Sequence, residues 1–306
     1  LRSCLYFRNM GDTRKTKIER YTIMEIPFKI KLENKVAVVT GGGGILCAVF
    51  AKALASCGAK VAVLDLKKES ADVIADSINK EGGIAIGVEA NVLNTESLKE
   101  AKKIVNEKFG TCDILINGAG GNHPKGTTNK EYFEEEDTDR EDIMTFFNLD
   151  PEGIKFVFDL NFIGTLLPTQ VFAKDMIGKK DSSIINISSM NAFTPLTKIP
   201  AYSGAKAAVS NFTEWLAVHF SKVGIRVNAM APGFFETNQN KALLRNPDGS
   251  YTERAQKILS QTPMSRFREP EELVGTLLWL VDNKASGFVN GIVVPVDGGF
   301  SAYSGV

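Results

Sequence analysis

The chain has 306 residues, 43% of them hydrophobic, and its 36 basic and 36 acidic side chains cancel to no net charge. That length and apolar share suit one large α/β unit with a substantial core, and the balanced charge argues against nucleic acid or an anionic membrane as a partner. No apolar run in the sequence approaches the roughly 18–20 residues of a bilayer span.

The four cysteines, Cys4, Cys47, Cys57 and Cys112, are scattered with no C-x-x-C pair. That spacing argues against a zinc site or disulfide scaffold, predicts no metal, and fits a reducing cytoplasm. Residues 1–28 stand apart: they are polar and basic up to Met24, and Cys4–Phe7 is too short for the apolar core of a signal peptide. They read as a poorly ordered N-terminal extension, with residues 29–306 as a single folded unit.

From Lys35 the pattern alternates between strand and helix. Lys35-Val-Ala-Val-Val-Thr40 is a buried strand, followed by Gly41–Gly44 and a helical pattern from Ile45 to about Cys57. A strand, a glycine-rich turn and a helix bring anions to the free N–H groups of a helix N-terminus. Gly41, Gly43, Gly44, Ile45 and Leu46 are therefore candidate phosphate-binding residues. The second strand, Lys60-Val-Ala-Val-Leu-Asp65, ends on Asp65 with Leu66 beyond it. A carboxylate there accepts both hydroxyls of an adenosine ribose and repels a 2′-phosphate, which predicts NAD over NADP. Lys67 and Lys68 soften that discrimination, and an ordinary strand-end aspartate is the plainer alternative.

Gly83–Glu89 is the third strand and runs into Asn91 and Val92; Glu96–Phe109 is a helix; Asp113-Ile-Leu-Ile-Asn117 is the fourth strand and opens into Gly118-Ala-Gly120. The next stretch carries eight acids and one arginine in Glu131–Asp142 and reads as a solvated surface segment. Its beginning, Asn122-His123, follows a strand end, so His123 reads either as a substrate contact or as a structural residue. His219, inside a helical pattern, reads as structural. Pro151 starts a helical segment to about Ile177, and Ser183–Ser188 is a fifth strand delivering Ser189. The loop Met190–Pro200 offers Asn191 and Lys198 as polar groups. Ile225–Ala231 is the sixth strand, Asn238–Ser260 a cover, Glu271–Val281 the last helix, and Gly291–Gly299 the final strand and turn. This alternation predicts an α/β Rossmann fold, a doubly wound parallel sheet of about seven strands with helices on both faces.

Between Ile199 and Lys222, Val209, Phe212, Leu216 and Phe220 recur at helical spacing, so Tyr202 and Lys206 share a helix face. An ammonium beside a phenol favours the phenolate and makes Tyr202 a better proton donor and acceptor near neutral pH. Moving a tyrosine from about 10 towards 7 asks for roughly 4 kcal/mol. Y-x-x-x-K alone also describes a packed tyrosine beside a solvated lysine. Here it has company: Ser189 lies thirteen residues earlier at the end of an apolar run, behind the glycine-rich turn and Asn117-Gly-Ala-Gly120.

Together these pieces, over about Lys35–Val306, resemble the short-chain dehydrogenase/reductase family, with Ser189, Tyr202 and Lys206 in its catalytic order and spacing. The resemblance implies an NAD(H)-dependent oxidoreductase in which Tyr202 exchanges a proton with the substrate oxygen and Ser189 hydrogen-bonds that oxygen. Lys206 would hold the nicotinamide ribose and Asn161 a water in a proton relay. It further implies that Asn91, where the family usually has aspartate, meets adenine beside Val92. Asn117, Gly118 and Ala119 would face the ribose and nicotinamide. Pro232, Gly233, Phe235 and Thr237, matching P-G-x-x-x-T, would hold the carboxamide end.

The turn departs from the family's T-G-x-x-x-G-x-G, with Ile45 and Cys47 in the last two glycine positions. The 44 residues from Asn117 to Asn161 exceed the family's usual spacing, which places an insertion at about 121–150. Family members usually assemble as homotetramers. The glycine turn, Asn117–Lys125, the acidic insertion and the tail Phe300–Val306 are similar to a branch of the family acting on sugar acids. A keto sugar acid and its hydroxy acid are then the expected reactants, with Asn122, His123, Asn191, Lys198 and Arg245 as expected contacts. Another polyol dehydrogenase and a catalytically silent dinucleotide sensor are the alternatives.

Overall fold

A computed structural model describes residues 29–236 and 241–305. The expectations for residues 1–28 and for Thr237 fall outside them. Seven strands form one sheet: β1 (Val36–Thr40), β2 (Lys60–Asp65), β3 (Ile84–Glu89), β4 (Ile114–Asn117), β5 (Ser182–Ile187), β6 (Ile225–Pro232) and β7 (Val293–Val296). Their order is β3-β2-β1-β4-β5-β6-β7 and every neighbouring pair is parallel. The principal helices are α1 (Ile45–Ser56), α2 (Lys68–Lys80), α3 (Thr95–Lys108), α4 (Pro151–Phe158), α5 (Gly164–Phe172), α6 (Pro200–His219), α7 (Lys241–Leu244), α8 (Glu253–Ser260) and α9 (Val274–Val281).

Strand side chains alternate between faces, and both faces of a parallel sheet are covered by its crossover helices. Ala37, Val39, Val61, Val63 and Ile116 meet α1, α2 and α9, with Phe50 and Leu54 of α1 at the centre of that core. Val38, Leu64 and Leu115 meet α3, α5 and α6 through Leu98, Phe172 and Leu216. Burial on both sides is why these strands read as unbroken apolar runs. Because all strands run the same way, their carboxyl ends lie along one edge. The order reverses between β1 and β4, which opens a crevice there.

Several segments differ from the sequence expectation. The helical run after Pro151 is α4, a π-helical turn at Asp159–Ile163, α5 and a 3-10 turn at Ala173–Asp175. By length and composition this run could cross a bilayer, but half of it is buried, with Val157, Asn161, Thr165, Thr169 and Phe172 facing inward. The segment after residue 270 divides into a 3-10 turn, Pro270–Leu273, and α9, and a further helical turn follows at Asn283–Ser286.

Residues 121–150 are more ordered than an acidic surface loop needs to be. Asp137 is buried and accepts from Lys130 at 2.7 Å and from the Glu134 N–H at 3.2 Å. Phe133 packs edge-on against Phe147. Thr128 N–H donates to Lys198 O at 2.9 Å, and Glu131 pairs with Lys257 of α8. The insertion therefore folds onto the loop before α6 and onto the cover.

Truncating a fully buried aromatic leaves a cavity in addition to the lost transfer energy. Phe50→Ala is expected to lower stability by about 3–5 kcal/mol in urea denaturation, with no direct change in the crevice.

Candidate active site

A cleft of about 850 Å³ opens along the carboxyl edge of the sheet between β1 and β4. Its floor begins at the glycine turn. Gly41 has φ +63°, and a Cβ there would sit 2.9 Å from Ala119 Cα, so only glycine lets the two loops approach. Gly44 caps α1, whose first-turn N–H groups have no acceptor within the helix and are free to bind an anion. Gly41, Gly44, Ile45 and Leu46 line the cleft, and so does Cys47.

Gly43 does not line it. Its N–H donates to Asp65 Oδ2 at 3.1 Å while Lys67 N–H donates to Asp65 Oδ1 at 3.1 Å. Two of the roughly four lone-pair sites of that carboxylate are thus occupied. Asp65 and Leu66 line the cleft, so the acceptor capacity that remains is available to a ribose diol. Asn91 and Val92 continue this wall with Ala90 and Leu93, and Asn91 Oδ1 already accepts Leu93 N–H at 2.9 Å.

The glycine missing from the turn at Cys47 is compensated across the sheet. A Cβ on Gly118 would collide with Cys47 Sγ, so the bare backbone at 118 makes room for the thiol at 47. Burial pushes the Cys47 thiol up to about 12 against the opposing pull of Lys206, and the group stays neutral. Gly118 and Ala119 line the cleft, but Asn117 does not. Its Nδ2 donates to Thr169 Oγ1 and Asn186 Oδ1, each at 2.9 Å, inside the sheet. The expected cofactor contact at Asn117 is corrected accordingly: parallel register sets it directly beside Asn186, and the pair turns inward.

Ser189, Tyr202 and Lys206 share one wall of the cleft. Ser189 follows β5, its Oγ accepting Asn191 N–H at 3.2 Å, and its hydroxyl lies close enough to Tyr202 to favour the phenolate. Pro200 at the first position of α6 starts the helix that carries Tyr202 and Lys206. Lys206 is 4% exposed and its Nζ donates to Ile187 O at 2.7 Å, 5.6 Å from the Tyr202 ring centre.

The expected acidic phenol is not what this geometry gives. Burial raises the Tyr202 pKa above its ordinary value and the Ser189 hydrogen bond only partly offsets it. Burial likewise pushes Lys206 down to about 8. Desolvation disfavours both charged forms, and at this separation it outweighs their attraction. Asn161 is tied to the loop after β4. Its Nδ2 donates to Gly121 O and Val157 O at 2.7 Å each, and its Oδ1 accepts Gly121 N–H at 3.3 Å. With both N–H groups engaged, the carboxamide clamps the Gly121 backbone, and its Oδ1 keeps the capacity to accept from a water.

Pro232, Gly233 and Phe235 complete the cleft together with Phe234. None of the expected substrate residues forms its wall. Asn122 Nδ2 donates to Thr127 Oγ1 at 3.0 Å. His123 packs against Phe156, with ring centres 5.2 Å apart. Asn191 is buried with an unpartnered carbonyl oxygen, and Lys198 is half-buried near Glu131. Arg245 corrects the expectation most clearly: it grips Glu236 at 2.9 Å and lies over the Tyr251 ring at 4.0 Å, tying α7 to the chain before α8. The open side of the cleft is instead walled by Gly120, Gly121, Phe156 and Leu160. Phe156 and Leu160 are four apart in a helical pattern, which shows a shared face but not what that face meets.

A phosphate cradle, a pinned ribose acceptor and a serine–tyrosine–lysine wall fit a nicotinamide dinucleotide. Bound there, NAD(H) would supply or accept the hydride. The short chain dehydrogenase family model matches residues 35–248, and the chain belongs to that family of oxidoreductases. An uncharacterized oxidoreductase of Haemophilus influenzae is 61% identical over 285 residues, 92% of this chain and 99% of the relative. A crystal structure from the same organism, provisionally named D-mannonate oxidoreductase and holding bound NAD, matches with TM-score 0.87 and 62% identity over 90% of this chain and 98% of that one. The 5-keto-D-gluconate 5-reductase of Escherichia coli K12 is 30% identical over 268 residues, 88% of this chain and 96% of the relative.

Two outcomes follow. Gly118→Ala is expected to weaken NADH binding about tenfold or more, an overpacking cost of roughly 1–3 kcal/mol. Adding Cys47→Gly should restore most of that affinity, a coupling read by fluorescence titration. For Lys206, the folded pKa of about 8 lies below the unfolded value of about 10.4, so the unfolded chain binds more protons between them. Stability of the wild type relative to Lys206→Met should therefore rise from pH 8 to pH 10 in denaturation experiments. A flat difference would contradict the depressed lysine.

Proposed function

We propose that this protein is an NAD(H)-dependent D-mannonate oxidoreductase that interconverts D-fructuronate and D-mannonate. The observation that carries the chemistry is that Ser189, Tyr202 and Lys206 line one cleft, with Lys206 buried. In the reducing direction a carbonyl oxygen gains negative charge as its carbon is reduced. Tyr202, held protonated by burial, gives its proton to that oxygen, and Ser189 donates a second hydrogen bond to it. Each well-aimed donor contributes about 3–4 kcal/mol to such a step. Asn161 fixes Gly121 and with it the loop opposite Tyr202.

The preference for NAD rests on Asp65, whose carboxylate is pinned at two points and would face the charge of a 2′-phosphate. The sugar acid rests on the resemblance of the inserted segment and on the provisional name of the Haemophilus structure. Lys198, half-buried near Glu131 in the loop before α6, is the cation we assign to the substrate carboxylate. Reduction of 5-keto-D-gluconate is the second reading, favoured by the Escherichia coli relative. We place the protein in the cytoplasm as a homotetramer built from single-unit chains.

The test is NADH oxidation with D-fructuronate, 5-keto-D-gluconate and an acetoacetyl thioester, repeated with NADPH. The uronate with NADH should give the highest kcat/KM, and no preference among the three ketones removes the sugar assignment. Tyr202→Phe should reduce turnover to background while NADH binding stays within twofold. Undiminished turnover in that variant would refute the chemistry.

A further inference from the structure

We infer that His123 is a specificity-determining residue whose Nε2–H donates a hydrogen bond to a substrate hydroxyl remote from the reacting carbonyl. The inference deepens the reading of the cleft as a hydroxy-ketone site and rests on it. His123 lies two residues beyond Gly121, which lines the cleft and is clamped on both its N–H and its C=O by Asn161. The backbone leading to the imidazole is therefore fixed to the helix beneath it.

The ring is fixed as well. His123 Nδ1 accepts the Lys125 N–H at 3.2 Å, capping the turn Pro124–Gly126. Its own carbonyl accepts from Thr127 Oγ1 and from Gly126 N–H, each at 3.0 Å. A ring nitrogen that accepts a hydrogen bond carries a lone pair, so the proton of the neutral imidazole sits on Nε2. The ring packs on Phe156, which lines the cleft. No described residue accepts the Nε2–H, and no carboxylate pairs with the ring.

Three of the cations nearby are otherwise engaged. Lys125 pairs with Asp150 at 2.8 Å, Lys155 with Asp159, and Lys257 with Glu131. His123 is thus a donor of set tautomer and set orientation packed on Phe156 of the cleft wall, with no partner for its Nε2–H among the described residues. A hydrogen-bonding site of this kind discriminates against ketones that lack the matching hydroxyl, because the donor is then left unpaired.

The experiment uses the full-length enzyme and two variants, His123→Phe, which keeps an aromatic ring against Phe156, and His123→Gln, which places an amide N–H near the position of Nε2. For each, KM and kcat are measured with D-fructuronate and with 5-keto-D-gluconate, and the NADH dissociation constant by fluorescence. His123→Phe should raise KM for the accepted ketone about tenfold, leaving kcat and NADH affinity within twofold. His123→Gln should return KM to within about threefold of wild type. An unchanged KM in His123→Phe overturns the inference. So does a parallel loss of kcat and NADH affinity, or a glutamine variant as impaired as the phenylalanine one. Wild-type activity on 5-keto-D-gluconate alone overturns the choice of sugar and leaves the His123 comparison to be read on that ketone; inactivity on both ketones overturns both claims.

Discussion

Desolvation of the Tyr202–Lys206 pair is the constraint on which the rest of the site depends. An exposed tyrosine and lysine four residues apart would interact weakly and titrate near their ordinary values. Here Lys206 is enclosed between Ile187 and the cleft, and the phenol is buried beside Ser189. Burial keeps the phenol protonated and lowers the affinity of the amine for its proton. Such a phenol is prepared to act as an acid toward a developing oxyanion. It becomes an effective base only when further positive charge enters the cleft.

The same enclosure explains the buried polar chain beneath the site. Thr213 on α6 accepts from Asn186, Asn186 accepts from Asn117, and Asn117 also donates to Thr169 on α5. Thr169 and Thr165 then donate to Thr165 O and Asn161 O at 2.8 Å each. The chain crosses β4 and β5 and joins the two helical elements that present Tyr202 and Asn161. A sheet interior tolerates so many polar groups only because nearly every one is paired. Each pairing also fixes the spacing between those helices.

Much of this was legible in the residues, for identifiable reasons. Parallel strands covered on both faces leave unbroken apolar runs, and the glycine turn, Asp65 and Ser189 sit where those runs end. Tyr202 and Lys206 fall on one helix face because of their spacing alone. Asn117 was misread because its partner Asn186 becomes its neighbour only through sheet register. Arg245 was misread because Glu236 and Tyr251 reach it only after α7 and α8 fold together. The sign of the Tyr202 shift depends on how much water the finished cleft excludes, which no local pattern encodes. The order of the acidic segment turns on one lysine, Lys130, meeting Asp137 in the interior of the insertion.

The most direct measurement is the ultraviolet titration of Tyr202 in the ligand-free protein, taken as the tyrosinate absorbance of wild type minus that of Tyr202→Phe. A phenol governed by burial gives no difference signal below the ordinary tyrosine value of about 10. A difference signal that titrates near pH 7 would mean that the ammonium, not desolvation, governs the phenol, and would contradict this account.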